Sequence, residues 1–163
     1  MKSIKEIDDA LNIISTARNR WDYEEKQGQL WEAVRKYPKE AIDYFYNYPE
    51  YQFSIAWCLA HLKSKIIKDF FVQEASNKDQ YIRWCAYINI KKYKSEDMIE
   101  IFAKGLRDRS SLVKGEALEA VKGIKDQRIM KELNHLVTLK SFKNNCPGYF
   151  EQANKLLDEF NGF

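Results

Sequence analysis

A chain of 163 residues with 45% apolar and 31% charged residues is long and apolar enough for one continuous core, which excludes a disordered segment. A net charge of +3, from 27 bases against 24 acids with no block of five like charges, lacks the strong basic excess of a dedicated nucleic-acid binder. Three widely spaced cysteines (Cys58, Cys85 and Cys146), no C-x-x-C and two distant histidines match neither a zinc module nor a disulfide framework, and six Gly with three Pro leave few helix breaks.

In chain order, Met1-Lys2-Ser3-Ile4-Lys5-Glu6 has an acid where a signal peptide would be apolar, and no later run approaches membrane-spanning length. With reduced thiols, that predicts a cytoplasmic chain with no membrane contact. Ser3 and Glu6 have capping-box spacing. Ile4, Ile7, Leu11 and Ile14 then mark one face of a helix ending near Arg18-Asn19. A second helix runs from about Tyr23 to Tyr37, with Leu30, Ala33 and Val34 apolar, closed by Pro38. Pro38 also suits the first turn of the next helix, which holds Ala41, Ile42, Phe45 and Tyr46. Pro49 separates it from a helix over about Glu50 to Leu62. The helix from Lys65 to Ala75 turns Ile66, Ile67, Phe70 and Phe71 inward.

Asp79 caps a helix from Gln80 to about Lys92, and Ser95 caps another with Met98, Ile99 and Phe102 inward. Asp108-Arg109-Ser110 is a turn before the helix from Ser111 to about Gly123, where glycine suits the C-terminal end. Asp126 caps a helix through about Leu139. Ser141 to Pro147 reads as the longest loop, and Pro147 opens the last helix to about Phe160. The count is ten helices, or five hairpins.

A shared register links the second helices of these hairpins. Ser110 to Val121 is the clearest copy of a segment recurring about every thirty residues. Ile82-Arg83 with Ala86 and Ile90 echoes Val113-Lys114 with Ala117 and Val121. Gly28 to Arg35 matches Gly115 to Lys122, Trp57-Cys58 recurs as Trp84-Cys85, and Tyr149, Ala153 and Leu157 match Val113, Ala117 and Val121. Self-similarity at this period marks stacked helical hairpins, each burying its apolar face against its neighbours. The expected fold is all-α, a short right-handed α-solenoid of about five antiparallel helical hairpins forming a single domain over 1–163.

The stretch from Asp79 to Asp126 resembles HEAT repeats, through the D-x-x-x-x-V-[RK]-x-x-A pattern of Asp108 to Ala117 and its shorter echo from Asp79 to Ala86. The resemblance implies that the base after the apolar position pairs with turn acids, Arg83 with Asp79 or Asp108 and Lys114 with Asp108. The outer repeats depart from the pattern, with Ala56, Gln27 and Phe150 at the basic position.

A stack of hairpins offers a surface rather than a pocket of reactive groups. Projected onto a concave face of second helices, the register brings Trp57, His61, Trp84 and Ile88 to mid-groove and Glu116 and Glu119 to its flank. An apolar strip with a polar rim reads as a partner site. The alternative is that Trp57 and Trp84 fill the core between hairpins. The stretch from Asp43 to Phe53 is the densest in aromatics. Phe45 and Phe53 fit inward positions, while Tyr44, Tyr48 and Tyr51 offer a recognition corner or simply pack with hydroxyls in water. Arg83 beside Trp84 is the one pairing suited to a nucleobase.

No phosphate-cradling glycine motif occurs, and Cys58 and His61 share a helix face without a third, orienting group. No catalytic, cofactor-binding or metal-binding residue is therefore assigned. The expected function is a non-catalytic protein-binding module, an adaptor or inhibitor. Short HEAT-like proteins of this kind include immunity proteins that block a toxin. The alternative is a nucleic-acid-binding relative of the HEAT-like alkylpurine DNA glycosylases, to which the Trp, Tyr and carboxylate content is similar.

Overall fold

A computed structural model describes residues 4–18 and 20–162, residues 20–22 by backbone alone. The described residues are helical throughout, with turns between and no strand: α1 (Lys5–Ser15), α2 (Arg20–Lys36), α3 (Pro38–Asn47), α4 (Gln52–Ala60), α5 (Lys65–Glu74), α6 (Gln80–Ile90), α7 (Ile99–Leu106), α8 (Ser111–Val121), α9 (Gln127–Thr138), α10 (Lys140–Asn145) and α11 (Pro147–Asn161). Single 3₁₀ turns at Pro49–Tyr51 and Glu96–Met98 lead into α4 and α7. The chain divides into two compact units, Met1–Asn89 and Ile90–Phe163.

Local chemistry accounts for most boundaries. Pro38 and Pro147 open α3 and α11, where a missing N–H costs nothing. Asp79 Oδ1 accepts from the N–H groups of Tyr81 and Ile82 at 2.7 and 3.3 Å, and Asp126 Oδ1 accepts from Arg128 N at 2.8 Å. Gly123 follows α8 with φ +76°, the left-handed geometry that favours glycine past a helix end. The Ser3 half of the expected capping box lies outside the described residues, as does Asn19; Ile4 stands at the N-cap of α1 without a side-chain bond. Ser95 likewise makes no side-chain cap.

In the first unit α1 packs on α2, α2 on α4, and α3 on α4 and α5. Ile7, Leu11 and Ile14 form the buried face of α1, as their spacing predicts. On α3 the buried set is Ala41, Tyr44 and Phe45, whereas Tyr46 is exposed. Ile67, Phe70 and Phe71 of α5 are buried with them, and Phe45 meets Phe70 edge to face at 5.0 Å. Ile66 and Phe53, both expected inward, are exposed. Both stand in the first turn of their helices, α4 and α5.

In the second unit α7 packs on α8 and α9, and α11 covers α8 and α9. The expected loop before Pro147 contains α10 instead. Its segment, Lys140 to Asn145, has one large apolar residue and hence no helical periodicity to read. Burial of Phe142, with its ring 6.5 Å from Phe150, holds the turn. Arg107 donates through Nε and Nη2 to both carboxylate oxygens of Glu132, which is buried. The paired geometry supplies the counter-charge that a buried carboxylate needs.

The matched positions of the sequence register have burial in common. The position shared by the second helices is Leu30, Leu59 and Ala86 in the first unit and Ala117 and Ala153 in the second, and all five are fully buried. The positions matched to Gly115 differ. Gly28 is exposed, Trp57 and Trp84 are half-buried, and Gly115 is buried beneath the Tyr149 ring.

Candidate functional site

Three helices of the first unit, α2, α4 and α6, build an aromatic cleft. Sequence alone places Phe53 and Trp57 at i and i+4 on α4, Tyr81 and Trp84 at i and i+3 on α6, and Tyr23 and Gln27 at i and i+4 on α2. Each pair therefore shares a face. The three faces converge on a cleft of ≈ 540 Å³ lined by Tyr23, Glu24, Gln27, Phe53, Trp57 and Trp84.

Polar contacts lock α2 onto α4. The Tyr23 hydroxyl and Ser54 Oγ lie 2.6 Å apart, and Gln27 Nε2 donates to Ser54 O at 3.3 Å and to Cys58 Sγ at 3.7 Å. Asn89, fully buried, locks α6 against α4 by donating Nδ2 to the carbonyls of Ala60 and Leu62 at 3.1 and 2.8 Å, at the C-terminal end of α4. Its Oδ1 is buried without a hydrogen-bond partner.

The rings form a connected ribbon. Phe53 meets Tyr81 at 5.8 Å (66°) and Trp57 at 6.4 Å (37°), and Trp57 meets Trp84 at 5.3 Å (36°). Phe53 is 41% and Tyr81 47% exposed, while both tryptophans are half-buried. His61, exposed, sets its ring nearly perpendicular to Trp57 at 4.8 Å and to Trp31 at 5.9 Å, which extends the ribbon toward α2.

The residues proposed from sequence separate into distinct environments. Trp57, His61 and Trp84 come together here. Ile88 is buried, as is Arg83, whose Nη1 donates to the Asn77 and Lys78 carbonyls at 2.8 and 3.1 Å and ties down the turn before α6. The guanidinium thus serves the turn backbone rather than a nucleobase.

Tyr44 is fully buried. Its hydroxyl donates to Asp8 Oδ1 at 2.7 Å and accepts from Ile4 N at 2.9 Å, so α3 is tied to the start of α1 and Tyr44 offers no contact surface. Tyr48 stacks on it at 5.3 Å, and Tyr48 and Tyr51 are half-buried. The apolar helix positions that Ile88 and Tyr44 occupy are covered by packing neighbours, which corrects their expected exposure.

Glu116 and Glu119 belong to the second unit. Glu116 is half-buried and accepts from Lys91 Nζ at 2.5 Å. Glu119 is exposed and accepts from Lys122 Nζ and Gln152 Nε2, each at 2.7 Å; the Lys122 bond leads in lowering its pKa. Lys114 lies over the Phe142 ring at 6.0 Å.

Sequence reasoning missed Tyr23, Phe53, Tyr81 and the α2 polar rim. The intrahelical spacings of Phe53 to Trp57 and Tyr81 to Trp84 carry the signal that would have found them.

Burial pushes the Cys58 thiol up to about 11 against a lowering bond from Gln27, and burial with the neighbouring Cys58 pushes Cys85 up to about 12. Neither is an activated nucleophile. Among the described residues no group of three His, Cys, Asp or Glu is placed to hold a metal ion, and no helix is long and apolar enough to cross a membrane.

A second groove of ≈ 920 Å³ lies between α1 and α2. Its rim is charged and largely self-paired: Glu6 bonds Lys36 at 2.9 Å and Tyr37 at 3.0 Å, and Glu32 bonds Arg35 at 2.7 Å. No protein-family model, curated protein or solved structure matches this chain.

Proposed function

We propose that this chain is a non-catalytic protein-binding module, an adaptor or inhibitor, that engages its partner through the aromatic cleft of α2, α4 and α6. The observation that carries the reading is the connected ribbon of Tyr81, Phe53, Trp57 and Trp84, with two of its four rings more than 40% exposed. Large exposed aromatics in contact with one another cost hydration free energy that a bound partner recovers. Tyr and Trp bury much area for few lost rotamers, which suits them to recognition.

The reading includes a HEAT-like arrangement of stacked hairpins, supported by the five fully buried positions of the shared register. An inhibitor of the immunity type is the narrower version, and it rests on fold analogy.

The test is affinity capture from the native host with the full chain and with a Phe53→Ser, Trp84→Ala double variant whose helicity is verified by circular dichroism. A partner enriched by the wild type and lost with the variant, then reconstituted from purified proteins, supports the reading. Identical capture by both chains sinks it.

The second reading, a nucleic-acid-binding relative of the alkylpurine DNA glycosylases, draws on the two Trp, one Tyr and one carboxylate lining the cleft. Against it, no Lys or Arg is among the described lining residues to neutralise a phosphate. Retention of duplex DNA at low salt, with a steep salt slope, would favour this alternative.

A further inference from the structure

We propose that the second unit carries an interaction surface of its own, Lys114, Lys140 and Lys143 around the rings of Phe142 and Phe150, which docks an acidic segment of a protein partner. This surface uses no residue of the cleft, and the inference goes beyond the reading given above.

Charge sets the region apart already in the sequence. Bases and acids balance over residues 1–89, so the net charge of +3 belongs to residues 90–163. Within them no Asp or Glu occurs between Glu132 and Glu151, and that stretch supplies Lys140 and Lys143, one turn apart on α10. Of the two bounding acids, Glu132 is buried and held by Arg107, and Glu151 is exposed on α11.

Packing adds the third base. Lys114 Nζ, from α8, lies 6.0 Å from the centroid of the buried Phe142 ring. The half-buried Phe150 ring lies 6.5 Å from Phe142, with Lys143 Nζ 5.5 Å from its own centroid. Lys114 is half-buried, and Lys140 and Lys143 are exposed. Asp108, which the repeat pattern offers to Lys114, accepts from Ser110 N at 2.8 Å. Elsewhere in this unit Lys91, Arg107, Lys122 and Arg128 each pair with a carboxylate, whereas Lys114, Lys140 and Lys143 hold none among the described residues.

Like charges gathered without counter-charges repel one another, and an anionic partner relieves that repulsion. Carboxylates one helical turn apart can meet Lys140 and Lys143 while an apolar side chain between them covers Phe150. A phosphate backbone would use the lysines alone and leave the ring uncovered, and so few phosphate contacts hold nucleic acid weakly. The combination therefore favours a protein segment that mixes Asp and Glu with an apolar residue.

The experiment uses the full chain and a capped, fluorescein-labelled peptide, Glu-Asp-Glu-Phe-Glu-Asp-Glu, with Gln-Asn-Gln-Phe-Gln-Asn-Gln as its neutral counterpart. Fluorescence anisotropy at low salt should show the acidic peptide binding more tightly than the neutral one, and less tightly as salt is added. Lys140→Gln combined with Lys143→Gln should cut that binding about fivefold, as the loss of two exposed ion pairs implies. Lys104→Gln combined with Lys131→Gln removes the same charge from exposed positions on α7 and α9, and should change it by no more than about twofold.

Equal binding of the two peptides, no binding of either, or equal losses in the two double variants overturns the inference. Duplex DNA bound more tightly than the peptide, and released by the Lys140, Lys143 variant, would also overturn it. The Phe53→Ser, Trp84→Ala variant should bind the acidic peptide as the wild type does; a loss there would put the peptide in the cleft and sink the inference. The capture experiment decides the cleft reading separately.

Discussion

Two glycines at matched register positions should respond in opposite directions to the same substitution. Gly28 is in the interior of α2, and a methyl group built on it meets nothing within 4 Å. Gly28→Ala therefore delivers only the helix-propensity gain, ~0.8–1 kcal/mol. Gly115 is in the interior of α8 beneath Tyr149, and the same methyl would lie 2.5 Å from both Cζ and Oη of that ring.

An unstrained carbon contact is ~3.5–4 Å, so the ring must retreat by roughly 1 Å. Overpacking of this kind costs ~1–3 kcal/mol. Half-burial of Tyr149 gives its ring some freedom, which puts the cost toward the middle of that range. Gly115→Ala should then be destabilising by about 1 kcal/mol, and the two variants should differ by about 2 kcal/mol.

Urea unfolding followed by far-ultraviolet circular dichroism reads both values. In a Tyr149→Ser background the obstruction is gone, and Gly115→Ala should become stabilising by about 1 kcal/mol. Equal stability of the two single variants, or an unchanged Gly115→Ala effect after Tyr149→Ser, would refute the close approach of α8 and α11 at this point.

Other outcomes follow from the same contacts. Tyr44→Phe removes the donor to Asp8 and the acceptor for Ile4 N, and should cost about 2 kcal/mol in urea unfolding, the usual loss for a hydrogen bond to a charged group. Glu6 is held at about 2 against an ordinary 4.5, chiefly by the Lys36 hydrogen bond, and Asp126 at about 2 against 3.8, chiefly by Arg128. Both folded values lie below the unfolded ones, so their stabilisation is complete above the unfolded pKa and is lost as pH falls toward 2. Carboxyl NMR titrations should show these low midpoints, and Lys36→Ala should raise that of Glu6, with the Tyr37 and backbone hydrogen bonds still holding it below the ordinary 4.5. Alkylation of the folded chain at mildly alkaline pH should label Cys146 and spare Cys58 and Cys85, whose thiols burial keeps protonated. Mass spectrometry of tryptic peptides checks this, and fast labelling of Cys58 would contradict its placement.

Helix formation was legible residue by residue because its determinants are local. A 3.6-residue period, prolines at first turns, aspartates at N-caps and glycine past a helix end all act within a few positions of the chain. Hence α1, α3, α6, α8, α9 and α11 begin or end close to where their residues demand. The sequence register also picks out buried positions, since Leu30, Leu59, Ala86, Ala117 and Ala153 are all in the core.

Exposure of individual aromatic residues was not legible in the same way. Tyr44 and Tyr46 are two positions apart with the same side chain, yet one is fully buried against Asp8 and Ile4 while the other is open. Phe45 and Phe53 read alike in sequence and part company for the same reason. A tyrosine or phenylalanine is equally fit for core and surface, and its own codon-neighbours do not say which helix will cover it. That choice depends on contacts tens of residues away, such as the Tyr23–Ser54 bond and the Asn89 amide at the end of α4. Short-range periodicity therefore sufficed for the helices and their buried register positions, and long-range packing alone opened the cleft between α2, α4 and α6.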